Sequence, residues 1–163
     1  MSDVITESGM DFIADNVYRI EKSEVYSNLG EGVKTVEFVR ASGDNLLFVE
    51  ARTTFPNPNN PDIGNSERFV TELRDISEKF IHSLNVFSAI KIGVLHDRAE
   101  HMILPENVSL VFVLVIKSHK LEWCKPIEKE LVAFLPRYIK RIWKPAVYVL
   151  NHDTAVKRDI AIG

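Results

Sequence analysis

The order of apolar and polar residues predicts a chain that begins with β-strands and continues with alternating helices and strands. Two β-rich runs, 33–42 and 45–53, are joined at Gly43-Asp44. A two-residue junction between two such runs is typical of a β-hairpin. A further short strand is predicted near 17–20.

The Pro/Asn-rich segment 55–65 separates this hairpin from a long helix. Proline has no amide proton and restricts the residue before it, so neither a helix nor a central strand runs through the segment. Apolar residues then recur three and four positions apart, which predicts an amphipathic helix that Asn65 or Ser66 can cap. The stripe consists of Phe69, Leu73, Ile76, Phe80, Leu84 and Phe87.

A nearly continuous apolar run at 109–118 predicts a strand that is buried on both faces. The preceding residues, 88–107, are ambiguous. From Lys125 a second helical pattern continues to Tyr138, and Pro136 is expected to kink or split it.

A last strand is predicted at 145–151, followed by a terminal helix that Asn151 or Asp153 can cap. This order of elements predicts a single layered α/β domain over residues 1–163. Its mixed β-sheet is flanked by helices, with an antiparallel section early in the chain and parallel crossovers later.

Composition and charge narrow the class of protein only slightly. The chain has 163 residues, of which 45% are hydrophobic and 26% charged, as in an ordinary globular domain. A net charge of -3 does not indicate nucleic-acid binding, although an acidic protein can still carry a local basic face. Cys124 is the only cysteine, which fits a reducing cytoplasm. We find no signal-peptide pattern and no apolar run near the roughly 20 residues of a membrane span, so we expect a cytoplasmic location and no membrane partner.

A carboxylate and a guanidinium interrupt the otherwise apolar second strand of the hairpin. If Ser42 faces Asn45 across the turn, Glu37 falls directly opposite Glu50, with Cβ atoms about 4.5–5.5 Å apart. Alternation then places Arg52 on the same face, one pleat beyond Glu50. A slip of one residue would remove this opposition.

Two facing carboxylates destabilise a hairpin, so the sequence predicts a compensating interaction. Three possibilities stay open: a shared proton that raises one pKa, neutralisation by Arg52, or a divalent cation between Glu37 and Glu50. Mg²⁺ or Mn²⁺ at this place can orient a water and stabilise the charge of a phosphate. A cation at position 52 can hold the same phosphate.

The arrangement resembles the PD-(D/E)xK, or restriction-endonuclease-like, superfamily of nucleases. Glu37 stands at the first acid of that motif and Glu50-Ala51-Arg52 at the second part, thirteen residues apart, as in compact archaeal Holliday-junction resolvases. The order of elements over roughly 16–120 is also similar. The resemblance implies a restriction-endonuclease-like fold and Mg²⁺-dependent hydrolysis of DNA or RNA. Glu37 and Glu50 would hold the metal, and Arg52 would position the phosphate.

The chain departs from the superfamily motif at several positions. The first acid is Glu rather than Asp, Val36 replaces the proline, and Arg52 replaces the lysine. An arginine stays protonated and cannot act as a general base. For the acid that the superfamily often carries near its N-terminus, the candidates are Glu21, Glu24 and Glu31.

These departures leave other functions open. A catalytically degenerate member of the superfamily would bind a protein partner or a nucleic acid without cleaving it. An unrelated α/β interaction domain would hold Glu37 and Glu50 far apart. As a separate alternative, Glu37, Glu50 and Arg52 form only a salt-bridged cluster on a solvated sheet face.

Two basic groups and one loop are further candidates for contact with a nucleic acid. The basic groups could bind phosphates, but cations also suit helix C-termini and ordinary surfaces. The loop 55–65 directly follows Arg52, and we expect it at the mouth of the proposed site. The first basic group is Lys117, His119, Lys120 and Lys125, and the second is Arg137, Lys140, Arg141 and Lys144.

Overall fold

The computed structural model describes residues 3–163, in which eight strands and four α-helices follow one another. The strands are β1 (Val4–Glu7), β2 (Met10–Ile13), β3 (Val17–Tyr18), β4 (Phe38–Ser42), β5 (Asn45–Arg52), β6 (Ser109–Ile116), β7 (Ala146–Asn151) and β8 (Ala161–Ile162). The helices are α1 (Glu24–Leu29), α2 (Ile63–Lys91), α3 (Leu121–Phe134) and α4 (His152–Lys157).

A five-stranded mixed sheet forms the centre of the molecule, in the order β3-β4-β5-β6-β7. The β3–β4 and β4–β5 pairs are antiparallel, whereas β5–β6 and β6–β7 are parallel. The predicted α/β class is therefore confirmed, including the early antiparallel section and the later parallel crossovers.

The hairpin of β4 and β5 has the predicted register over its length. Ser42 pairs with Asn45, and the pairing continues without a slip to Phe38 and Val49. The predicted extension to Glu37 is wrong. The ladder ends at Phe38, and the N–H of Glu37 donates to the carbonyl of Val49 at 3.0 Å. This bond is one residue out of register, so Glu37 enters the sheet obliquely instead of pairing with Glu50.

Helix α2 begins earlier and ends later than the apolar stripe alone indicates. Its cap is Asp62, whose side chain accepts from the N–H of Gly64 at 2.8 Å. The predicted caps, Asn65 and Ser66, are wrong, because both lie inside the helix. At its other end α2 runs through the start of the ambiguous segment, as far as Lys91.

Helix α3 ends at Phe134, and Pro136 separates it from a π-helical turn at Ile139–Trp143. Leu135, the residue before the proline, is extended, which is the conformation that a following proline favours. The predicted split at Pro136 is confirmed.

The two faces of the central sheet are covered differently. Helices α2 and α3 pack on one face, where Phe80 of α2 stacks on Phe112 of β6 with ring centroids 4.7 Å apart. The other face packs against α4 and a small sheet in the order β1-β2-β8, with Phe12 against Phe38. Strand β6 is consequently buried on both faces, as predicted. The apolar pattern of β6 predicted this burial but not the small sheet that covers one of its faces.

The final helix, α4, is capped by Asn151, one of the two predicted residues. The Asn151 side chain accepts from the N–H of Thr154, and the Thr154 hydroxyl accepts from the N–H of Asn151. Among the described residues, no helix has both the length and the apolar character needed to cross a membrane.

Candidate functional site

Glu50 lies inside the molecule, on the face of β5 that packs against α2. Its side chain is 1% exposed. One carboxylate oxygen, Oε2, accepts from Arg52 Nε at 3.0 Å and from Lys79 Nζ at 2.8 Å. The other, Oε1, is buried without a hydrogen-bond partner among the described residues. Burial raises the pKa of Glu50, against the opposing effect of the two cations.

The planar guanidinium group of Arg52 donates hydrogen bonds to three carboxylates. Besides the bond to Glu50, Nη1 donates to Glu72 Oε2 at 3.0 Å and Nη2 to Asp75 Oδ2 at 2.6 Å. Burial disfavours the charged guanidinium, but the surrounding carboxylates raise the pKa of Arg52 above its ordinary value. Arg52 therefore stays charged and is held rigidly between β5 and α2.

The ion-pair network continues from Asp75 to the surface. Lys34 Nζ lies 3.0 Å from Asp75 Oδ1 and 2.8 Å from Glu78 Oε2. Burial would raise the pKa of Asp75, yet the hydrogen bonds from Lys34 and Arg52 outweigh it and lower that pKa. The salt-bridged arrangement that the sequence left open is thus present around Arg52, on the helix-covered face of the sheet.

Glu37 stands in an acidic environment just before β4. Its carboxyl group is half-buried and hydrogen-bonded to Glu21, in the 3₁₀ turn Ile20–Lys22. Burial comes first among the causes that raise the pKa of Glu37 to about 9, followed by Glu21, the charge of Glu50 and the charge of Glu7. Glu37 is therefore protonated at neutral pH.

The structure brings Glu37, Glu50 and Arg52 together and shows one of the three predicted compensations, the pairing of Glu50 with Arg52. Their carboxyl groups are close enough for the charge of Glu50 to raise the pKa of Glu37. Glu37 retains a proton, and Arg52 neutralises Glu50 with the help of Lys79.

Several residues of the site were not predicted from the sequence. Of the three candidate N-terminal acids, Glu21 is the one that the structure places beside Glu37. Lys79, Glu72 and Asp75 follow the core-facing stripe of α2 at helical spacing. The signal that could have identified them is the position of charged residues at the edge of the apolar stripe of α2, the helix that packs on the strand of Glu50.

The carboxylates fit a hard divalent cation in the type of donor. Mg²⁺ takes oxygen ligands and usually keeps several waters beside one or two protein carboxylates. Glu50 Oε1 has no partner among the described residues, and the charge of Glu50 acts on Glu37, which has a further acidic neighbour in Glu21. In the described part of the chain, however, no group of three or more Asp, Glu, His or Cys side chains is already arranged as a metal-ligand set. Oε1 of Glu50 is enclosed by the protein and would have to become accessible before an ion could reach it.

The site lies towards the carboxyl ends of the parallel strands. In open α/β sheets, ligands bind outside these ends. The loop 55–65 leaves the sheet at the same end, because it follows β5, and Phe55 packs against Phe69 and His119.

The two basic groups lie at opposite ends of the sheet. Lys117 and Lys120 follow β6 at the end that carries Glu50, whereas Lys144 and its neighbours precede β7 at the other end. His119 is 7% exposed, so it is packed and not presented to a ligand. Burial lowers the pKa of His119.

Comparison of the chain with family models, with curated proteins and with solved structures found no significant match. The fold class therefore follows from the structure itself, and the site must be interpreted from its own chemistry.

Proposed function

We propose that the protein is a divergent restriction-endonuclease-like nuclease that hydrolyses phosphodiester bonds of DNA or RNA with Mg²⁺ or Mn²⁺. The observation that carries the proposal is the meeting of Glu50, Glu37 and Glu21 near the carboxyl end of β5. One oxygen of Glu50 lacks a partner, and the pKa of Glu37 is raised to about 9. A carboxyl group whose pKa is raised by burial and by acidic neighbours is common at functional sites, although structural networks also produce it.

In this proposal each side chain has a defined task. Glu37 and Glu50 would hold the metal, which supplies a polarised phosphate and an activated water. Arg52 fixes the orientation of Glu50 through its 3.0 Å hydrogen bond. Lys79 contacts the same carboxylate oxygen and, unlike an arginine, its side chain can exchange a proton.

The second candidate function is a catalytically degenerate module that binds a protein or a nucleic acid. One observation favours it: Arg52 is bound by Glu50, Glu72 and Asp75 at once. A guanidinium with three carboxylate partners is less available to a substrate phosphate than a free cation would be.

Cleavage assays with single-stranded, duplex and branched DNA and RNA, in Mg²⁺ and in Mn²⁺, test the proposal. We expect cleavage by the unaltered protein, loss in Glu50→Gln and no change in Glu130→Gln, a matched control at an exposed glutamate on α3. Arg52→Lys should keep activity because it retains a cation beside Glu50.

The outcomes separate the two functions. Cleavage that survives in Glu50→Gln would show that the site proposed here is not the active site. Binding of any of these nucleic acids without cleavage, under all metal conditions, would favour the degenerate module.

A further inference from the structure

The structure also contains a cleft that is separate from the acidic site. It has a volume of about 240 Å³ and lies on the face of the central sheet opposite α2 and α3. Its walls include Asn45, at the start of β5, whereas Glu50 lies five residues further along the strand and on the other face. Five residues of strand correspond to roughly 17 Å. A ligand in this cleft would not touch the acidic site.

The cleft has an apolar floor and a polar edge because two adjacent rows of paired residues cross it. Leu47, Val111 and Ala146 form the apolar row. Ser42 and Asn45 pair across the hairpin and continue the polar row to Ser109 on β6.

Two arginines stand at the sides of the cleft. Arg40, on β4, is 9% exposed and donates from Nη1 to the carbonyl of Asp159 at 2.7 Å. Arg158, at the end of α4, is exposed and lies over the ring of Tyr148, with Cζ 4.4 Å from the ring centroid. Asp159 has a left-handed backbone, φ 56°, which is common for the residue after a helix and turns its carbonyl towards Arg40.

The charge of Arg40 is incompletely compensated. In the described residues it has no ion pair within 4.0 Å, and its buried Nε has no hydrogen-bond partner. Burial lowers the pKa of Arg40, and the charges of Asp15 and Asp159 offset this only from a distance. Because arginine does not lose its proton in proteins, it cannot escape the cost of burial by becoming neutral.

A second arginine on the same sheet, Arg52, has its charge compensated by carboxylates of the protein itself. Arg52 is more exposed, at 24%, and still has three carboxylate partners. Arg40 is more deeply buried and has none within the same distance, although it lines an open cleft. An anion that entered the cleft would supply the charged partner that Arg40 lacks among the described residues.

We propose that this cleft binds the oxyanion group of a small molecule, a phosphate or a phosphate monoester, between Arg40 and Arg158. A guanidinium binds such a group through two parallel N–H donors. The hydroxyl groups of Ser42 and Ser109 can complete its hydrogen bonds. The volume of the cleft, which is below that of a typical drug pocket, suits a small ligand.

Titration of the full chain with inorganic phosphate and with adenosine monophosphate, followed by amide chemical shifts in NMR and by melting temperature, tests the proposal. At low chloride and about 10 mM ligand we expect shifts centred on Ser42 and Ser109 together with a higher melting temperature. A response to both ligands assigns recognition to the phosphate alone. A stronger response to the nucleotide assigns part of it to the planar base.

Matched variants identify the groups responsible. Arg158→Gln changes an exposed residue and should weaken binding about tenfold or more, whereas Arg68→Gln, at an exposed arginine on α2 outside the cleft, should bind as before. Arg40→Met should abolish binding, and if that variant fails to fold, Arg158→Gln still decides the question. Absence of any response to either ligand, or unchanged binding in Arg158→Gln, would overturn the proposal.

Discussion

Glu37 carries a proton at neutral pH that an isolated glutamate would have lost. Its burial and the nearby Glu21 and Glu50 disfavour the ionised form, and they raise its pKa from an ordinary value of 4.5 to about 9. A raised pKa caused by burial and by like charges together is common at functional sites, although structural networks also produce it. At the residue scale, Glu37 is thus the most unusual ionisable group of the acidic site.

The protonation of Glu37 makes stability depend on pH in a defined direction. Between about pH 4.5 and pH 9 the native state keeps this proton and the unfolded state loses it, so the contribution of Glu37 to stability falls as pH rises. This contribution is fully present below the lower value and lost as pH passes the higher one. Glutamine does not titrate, so we expect Glu37→Gln to gain stability relative to the unaltered protein as pH rises.

Denaturant unfolding of both proteins at several pH values between about 5 and 8.5 checks this expectation. Glu130→Gln, at an exposed position, is the control and should show no comparable trend. A difference in stability between Glu37→Gln and the unaltered protein that is the same at every pH would contradict the raised pKa.

Arg52 makes the largest number of charged contacts in the network. Arg52→Ala would leave Glu50, Glu72 and Asp75 without their shared cation, and Glu50 is 1% exposed. We expect a loss of roughly 2–4 kcal/mol in the free energy of unfolding, since removing one member of a buried ion pair leaves an uncompensated charge. Arg52→Lys keeps the charge but not the fork, and it should lose less. Equal stability of Arg52→Ala and the unaltered protein in denaturant unfolding would show that the network contributes little.

At the scale of elements, the β4–β5 hairpin sets the position of the acidic site through its turn. Gly43 has a φ of 58°, and an added Cβ would meet no atom within 4 Å. Any cost of Gly43→Ala therefore comes from the backbone conformation, and we expect it to be about 1–2 kcal/mol. Gly43→Asn should cost less, because asparagine tolerates this conformation better. Thermal unfolding of both variants checks the order, and equal losses would argue against a conformational cause.

The sequence predicted the elements whose signals are local. Gly43-Asp44 was enough to fix the register of the hairpin, and the unbroken apolar run of β6 predicted its burial on both faces. In the small sheet, the local β1–β2 hairpin around Ser8-Gly9 was overlooked, and the pairing of β2 with β8 escaped prediction because β8 lies almost the whole chain away. A pairing of such separation leaves no mark in a local window of sequence.

The same distinction applies to the acidic site. Glu50 and Arg52 were found because they interrupt an apolar strand. The exact opposition of Glu37 to Glu50 was wrong, since the predicted run 33–42 becomes a strand only from Phe38, which leaves Glu37 outside the ladder. Lys79 was missed because its contact depends on how α2 rotates against β5, which hydrophobic spacing does not determine to the precision of one side chain.

At the scale of the whole molecule, the two proposed sites use opposite faces and opposite ends of one sheet. The acidic site lies between β5 and α2, near the carboxyl ends of the parallel strands. The arginine cleft lies on the other face, where β5 and β6 begin. The thickness of the sheet and roughly 17 Å along β5 separate the two, so variants in one site should leave ligand binding at the other unchanged.

The last prediction concerns metal binding and is made for the intact protein. Carboxylates bind a divalent cation in their ionised form, whereas Glu37 is protonated at neutral pH because its pKa is about 9. Binding of Mg²⁺ or Mn²⁺ between Glu37 and Glu50 must therefore release a proton and become stronger as pH rises towards 9. Isothermal titration calorimetry in two buffers of different ionisation enthalpy should reveal about one proton released per metal near pH 7.

The melting temperature should rise with metal concentration by mass action, and this rise should be larger at pH 8 than at pH 6 by the linkage of metal to proton. Glu50→Gln should lose most of the effect and Glu130→Gln should retain it. If the melting temperature does not respond to either metal, the carboxylates and cations around Glu50 form an ion-pair network only, and the degenerate binding module becomes the better account of the fold.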